Sequence, residues 1–62
     1  MTTTAERMTT DLETVTDIEE LRRRYDACVL DDRFYDDFSD ESFELHKAKN
    51  AIRERADELR EN

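Results

Sequence analysis

Neither glycine nor proline occurs anywhere in this chain. Without glycine, no turn that demands a positive φ is written into the sequence, and without proline nothing interrupts a helix's hydrogen bonding. No stretch shows the sustained apolar and polar alternation, rich in β-branched or aromatic residues, that marks a strand. Helix is therefore the expected state of whatever is ordered, and the expected fold class is all-α.

Size narrows this further. A chain of 62 residues makes one domain at most, and so short a fold buries too little apolar surface to be comfortably stable unaided. The usual aids are disulfides, a structural metal or association with another chain. There is one cysteine, Cys28, and one histidine, His46. A lone thiol closes no intrachain bridge, and one Cys with one His falls short of a structural zinc site's four ligands. No cofactor or metal is expected, which leaves association.

The net charge of -8, with 45% charged and 35% hydrophobic residues, lies near the boundary at which chains stop folding alone. No apolar run approaches the roughly 18 residues that cross a bilayer. Met1 to Thr10 is polar throughout and does not read as a signal peptide. The expectation is a cytoplasmic protein with no membrane partner, and an unpaired cysteine agrees with a reducing compartment. Arginine outnumbers lysine eight to two while the acids divide evenly between Asp and Glu. That bias fits a GC-rich genome or a salt-adapted host, and acidity of either origin carries no information about partners.

Residues 1–10, with Thr2, Thr3, Thr4, Thr9 and Thr10, read as a flexible polar tail, leaving 11–62 as the helical domain. Thr16 with Glu19, or Asp17 with Glu20, has capping-box spacing for a first helix over about 17–30. Ile18, Leu21, Tyr25 and Cys28 recur along it at intervals of three and four as one narrow stripe. Glu19 with Arg23, and Glu20 with Arg24, are favourable pairs four residues apart. Asp31 to Ser39 carries four Asp, poor residues in a helix interior, and is the expected connection. Phe34, Tyr35 and Phe38 within it predict a short helical turn folded back on the core. A second helix over about 40–60 has Ser39 as N-cap, with Phe38 and Phe43 placed to clasp its entry. Acids at Asp40, Glu41 and Glu44, with Lys47, Lys49, Arg53, Arg55 and Arg60 later, complement its dipole. Leu45, Ala48, Ile52 and Leu59, widened by Ala51 and Ala56, form its inward face. The architecture expected is an antiparallel helical hairpin with a short helical or irregular connection, dimerising into a four-helix bundle. Ile18, Leu21, Tyr25, Leu45, Ile52 and Leu59 are the residues expected at the self-association seam.

The acids are unevenly placed. Asp26 to Glu44 holds eight acids and one base, Arg33, whereas Lys47 to Asn62 holds five bases against four acids. The connection is thus an acidic pole. Charge runs are usually solvated faces, but aromatics interleaved with the acids are what interface anchors look like. Asp31, Asp32, Phe34, Tyr35, Asp36, Asp37 and Asp40 are the residues expected to contact a partner, a basic protein. The other reading of the pole is a mimic of nucleic-acid phosphates that inhibits a DNA- or RNA-binding protein, as small phage or plasmid regulators do. Direct nucleic-acid binding by Arg22, Arg23 and Arg24 is disfavoured by the overall charge, and with Glu19, Glu20 and Asp26 alongside, that run reads as a salt-bridged helix face.

Calcium binding fails on spacing. No frame supplies an EF-hand's oxygen ligands, central Gly and closing Glu, and one starting at Asp37 reaches Ser42 where Gly is needed and Ala48 where Glu is needed. Cys28, on the apolar stripe, reads as a packed residue rather than a nucleophile. His46 reads as a boundary residue rather than a titrating switch. The expectation is a non-enzymatic helical binding module or regulator that acts through its helix surfaces.

Overall fold

Helix is the state adopted. A computed structural model, which describes residues 3–36 and 38–61, contains α1 (Thr4–Thr9), α2 (Ile18–Asp32) and α3 (Asp40–Glu61), with a 3-10 turn at Leu12–Thr14 and no strand among the described residues. Asp17 caps α2, its carboxylate accepting from the Glu19 backbone N–H at 3.0 Å. Glu20 does not complete a capping box. It turns instead to Arg24 at 3.5 Å and to Arg23 at 3.9 Å. Ser39 caps α3 as expected, its Oγ accepting from the Ser42 N–H at 3.2 Å while the Phe43 N–H donates to the Ser39 carbonyl at 3.1 Å.

The polar tail is the largest departure from expectation. Residues 4–9 form a helix, opened by a capping box in which Thr3 Oγ1 accepts from the Glu6 N–H at 3.2 Å and Glu6 Oε2 accepts from the Thr3 N–H at 3.4 Å. Such reciprocal bonds satisfy two of the donors a helix start leaves free. Six residues are too few for a helix to persist alone in water, so the holding force is tertiary. Ala5 is buried in the core, Met8 packs against it, and Arg24 Nη1 donates to the carbonyls of Met8 at 3.1 Å and Thr10 at 2.8 Å. Those carbonyls belong to the end of α1, where helical partners run out.

A turn with positive φ also occurs although no glycine is present. Asp11 takes φ 53° and ψ 31°, a left-handed conformation that Asp tolerates better than most residues. Its carbonyl accepts from the Thr14 N–H at 3.0 Å and the Thr14 hydroxyl at 2.7 Å, which fixes the turn after α1. Arg55 Nε then donates to the Val15 carbonyl at 3.1 Å, tying the chain to α3 just before α2 begins.

The core consists of Ala5, Leu21, Cys28, Leu45, Ala48 and Ile52, with Met8, Leu12, Val15, Tyr25, Ala56 and Leu59 partly buried around it. All three helices contribute to it. The end of α2 meets the start of α3, where Ser42 Oγ donates to Asp32 Oδ1 at 2.7 Å. At the other end Ile18 and Leu21 share a groove with Ile52, Ala56 and Arg60.

This packing revises the expected seam. Leu21, Leu45 and Ile52 are covered within the one chain, and Tyr25 and Leu59 are half-buried against the same core. Of the six residues expected there, Ile18 alone is exposed, at 37%. The physical reason is the N-terminal segment, whose Ala5, Met8, Leu12 and Val15 occupy the face that two helices would have left open.

Candidate partner-binding pole

The connection between α2 and α3 is built from turns. The Phe34 and Tyr35 N–H groups donate to the carbonyls of Asp31 and Asp32 at 3.1 and 3.3 Å, prolonging α2 as tight turns, and the Ser39 N–H and hydroxyl both donate to the Asp36 carbonyl, at 3.0 and 2.8 Å. The backbone is thus largely satisfied locally and needs no help from the aromatic side chains. Those side chains do not fold back. Phe34 is 84% exposed and Phe38 101%, so the expected clasp between Phe38 and Phe43 is absent. Phe43, itself exposed, instead carries the Lys47 ammonium 5.2 Å from its ring centroid, while the same ammonium lies 3.5 Å from Glu44.

Leu30 and Tyr35 are exposed as well. Five large apolar side chains, Leu30, Phe34, Tyr35, Phe38 and Phe43, therefore stand in solvent at one end of the molecule. Single exposed apolar residues are ordinary, whereas five within fourteen residues are unusual on a small chain. A cleft of about 400 Å³ is formed by Thr3, Thr4 and Ala5 of the N-terminal segment, Asp31 and Tyr35, and Asp40, Glu41, Glu44 and Leu45 of α3. Four carboxylates line it and no cationic side chain does.

The expected contact residues divide as follows. Asp31, Tyr35 and Asp40 line the cleft, and Phe34 and Asp36 are exposed. Asp37 lies outside the described residues. Asp32 belongs to the scaffold: it is half-buried and accepts from the fully buried Ser42 hydroxyl, which joins the two long helices. Glu41, Glu44, Leu30 and Phe43 complete the surface and were not among the expected contacts. The two glutamates were legible as part of the acid run, but no periodicity in the sequence says which face of α3 the N-terminal segment leaves open.

A second groove, of about 430 Å³, lies at the other end of the molecule. Ile18, Leu21, Tyr25, Ile52 and Ala56 supply its apolar lining, with Arg22, Arg53 and Arg60 against Glu19 and Asp26. The two ends thus differ in charge.

The remaining chemistry-bearing residues stand apart. Cys28 is fully buried, and burial pushes its thiol above the ordinary value of 9.0, with Lys49 partly offsetting this and Asp31 adding to it. A thiol held in its neutral form is a poor nucleophile. His46 is exposed on α3. Among the described residues no three His, Cys, Asp or Glu side chains converge in a group that could hold a metal ion, and no helix is long and apolar enough to cross a membrane. Compared with known proteins, the chain matches no family model, no curated protein and no solved structure.

Proposed function

We propose that this chain is a small non-enzymatic protein-binding module, a regulator whose connection pole docks a basic segment of another protein. One observation carries the reading: Leu30, Phe34, Phe38 and Phe43 stand exposed on the segment between residues 30 and 43, whose Tyr35 lines a cleft with Asp31, Asp40, Glu41 and Glu44. Exposed aromatics supply desolvation and packing on contact, and the carboxylates select a cationic partner and steer its approach. A segment alternating apolar anchors with Arg or Lys satisfies both. The nucleic-acid mimic is the less favoured reading, because phosphate imitation needs the carboxylates alone and leaves the exposed phenylalanines without a role.

The module is further proposed to self-associate, two antiparallel helical hairpins forming a four-helix bundle. Support for this comes from the small size of the single-chain core, which holds three large aliphatic side chains, Leu21, Leu45 and Ile52.

The docking proposal is tested by immobilising the chain and capturing proteins from the cells that carry its gene. Wild type is compared with the Phe34→Ser/Phe38→Ser and the Asp40→Asn/Glu44→Gln variants. A protein retained by wild type and lost with both variants is the expected result. A protein lost with the carboxylate variant but kept by the phenylalanine variant, and displaced by duplex DNA, identifies the mimic instead.

A further inference from the structure

We infer that the N-terminal segment from Thr3 to Val15 is a detachable cover, seated on the surface that a second copy of this chain occupies when it is released. The inference rests on the self-association proposed above and names the surface, the orientation and the competing occupant.

The cover is short relative to what it covers. Helix α1 is about 9 Å long, whereas the stripe from Leu45 through Ala48 and Ile52 to Leu59 extends about 21 Å along α3. Beyond α1 the stripe is met by Leu12 and Val15 from a 3-10 turn and extended backbone. The cover is fastened by polar contacts whose donors lie outside it, Arg24 to the Met8 and Thr10 carbonyls and Arg55 to the Val15 carbonyl, together with the half-buried Met8, Leu12 and Val15. Ala5 is its one fully buried side chain.

Its seat is incompletely filled. The acidic cleft opens beside Thr3, Thr4 and Ala5. A shallow groove of about 260 Å³ runs along the surface where Ala5, Glu6 and Thr9 meet Glu44, Lys47, Ala48 and Ala51. Another of about 420 Å³ runs between Thr9, Asp11 to Thr14 and Ala51. Open grooves along the margins of a contact leave its edge atoms without neighbours on one side, so those atoms forgo part of the dispersion attraction that close packing supplies. Ala48 and Ala51 beneath would let a longer helix approach closely, since interaxial distance follows side-chain size at the contact.

Charge selects the occupant and its direction. In a two-fold antiparallel pairing, the Asp26–Glu44 pole of one copy, with eight acids to one base, lies away from its equivalent and beside the partner's Lys47–Asn62 segment, with five bases to four acids. A parallel pairing would bring the two acidic poles together. A second α3 also has the length of apolar stripe that α1 lacks.

Sedimentation equilibrium of the full chain, wild type against Arg24→Gln/Arg55→Gln, is one arm of the test, and amide hydrogen exchange of wild type across a concentration series is the other. The double variant should dimerise at least about tenfold more tightly, because it loses the three charged-donor bonds that hold the cover down. In wild type, protection of the Thr4–Val15 amides should fall as the dimer fraction rises. A dimer whose N-terminal amides remain protected overturns the cover while leaving self-association standing. Both fall if wild type and variant alike sediment at 7.4 kDa up to millimolar concentration.

Discussion

Replacing Ser42 with alanine removes one oxygen atom from the join between α2 and α3. Ser42 is 1% exposed and its hydroxyl donates to Asp32 Oδ1 at 2.7 Å, a short bond to a charged acceptor. Bonds of this type contribute about 1.5–3 kcal/mol when both groups are sealed from water. Asp32 is half-buried, so water replaces the lost donor in part, and the expected cost of Ser42→Ala is about 1–1.5 kcal/mol. For a domain of this size that lowers the melting temperature by about 4–10 °C. Thermal and urea unfolding followed by helical circular dichroism measure it, with Asp32→Asn and the double variant completing a mutant cycle. A coupling near 1 kcal/mol is expected, below the range for a sealed bond because Asp32 is partly solvated. If Ser42→Ala melts with wild type, or the cycle shows no coupling, the two helices are not joined as described and the placement of the connection above them loses its support.

Ile52→Ala and Leu45→Ala should each cost about 2–5 kcal/mol, a large share of a total stability of about 3–9 kcal/mol for a chain this long, and each should lower the urea midpoint and melting temperature followed by circular dichroism far more than Ser42→Ala does. Cys28 should resist a thiol reagent in the folded chain and react at once in denaturant. Because burial raises the folded thiol's pKa above the unfolded value, its contribution to stability is complete below about pH 9 and is lost as pH rises further; Cys28→Ala should flatten that alkaline decline in a urea titration. Phe34→Ser/Phe38→Ser should change folding stability by less than about 0.5 kcal/mol, the range for exposed positions, since both rings stand in solvent.

What the sequence made legible was what depends on local spacing. The three- and four-residue recurrence of Leu21 with Cys28, and of Leu45, Ala48 and Ile52, identified core positions that the structure buries, and Ser39 was readable as the cap of α3 because capping is a contact between near neighbours. The N-terminal helix was not, although Thr3 and Glu6 have capping-box spacing, because its apolar content is too low for periodicity to register. Its end is held by Arg24 bonds that bridge 14 and 16 positions in sequence, and the segment after it by an Arg55 bond that bridges 40. Both arginines resemble ordinary members of a charged helix face until the backbone carbonyls they meet are known. The pole's acids were legible from charge placement, whereas the exposure of its phenylalanines was not. An aromatic in a connection reads as buried or as an anchor equally well, and locally satisfied turns decided between them.

The most direct measurement is nuclear magnetic resonance mapping of the isotope-labelled chain titrated with the protein it captures. Shift changes confined to Leu30–Leu45, strongest at Phe34, Phe38 and the amides beside Asp40 and Glu44, are the predicted result. Changes centred instead on the groove of Ile18, Arg22, Arg53 and Arg60, with the connection unaffected, would contradict it.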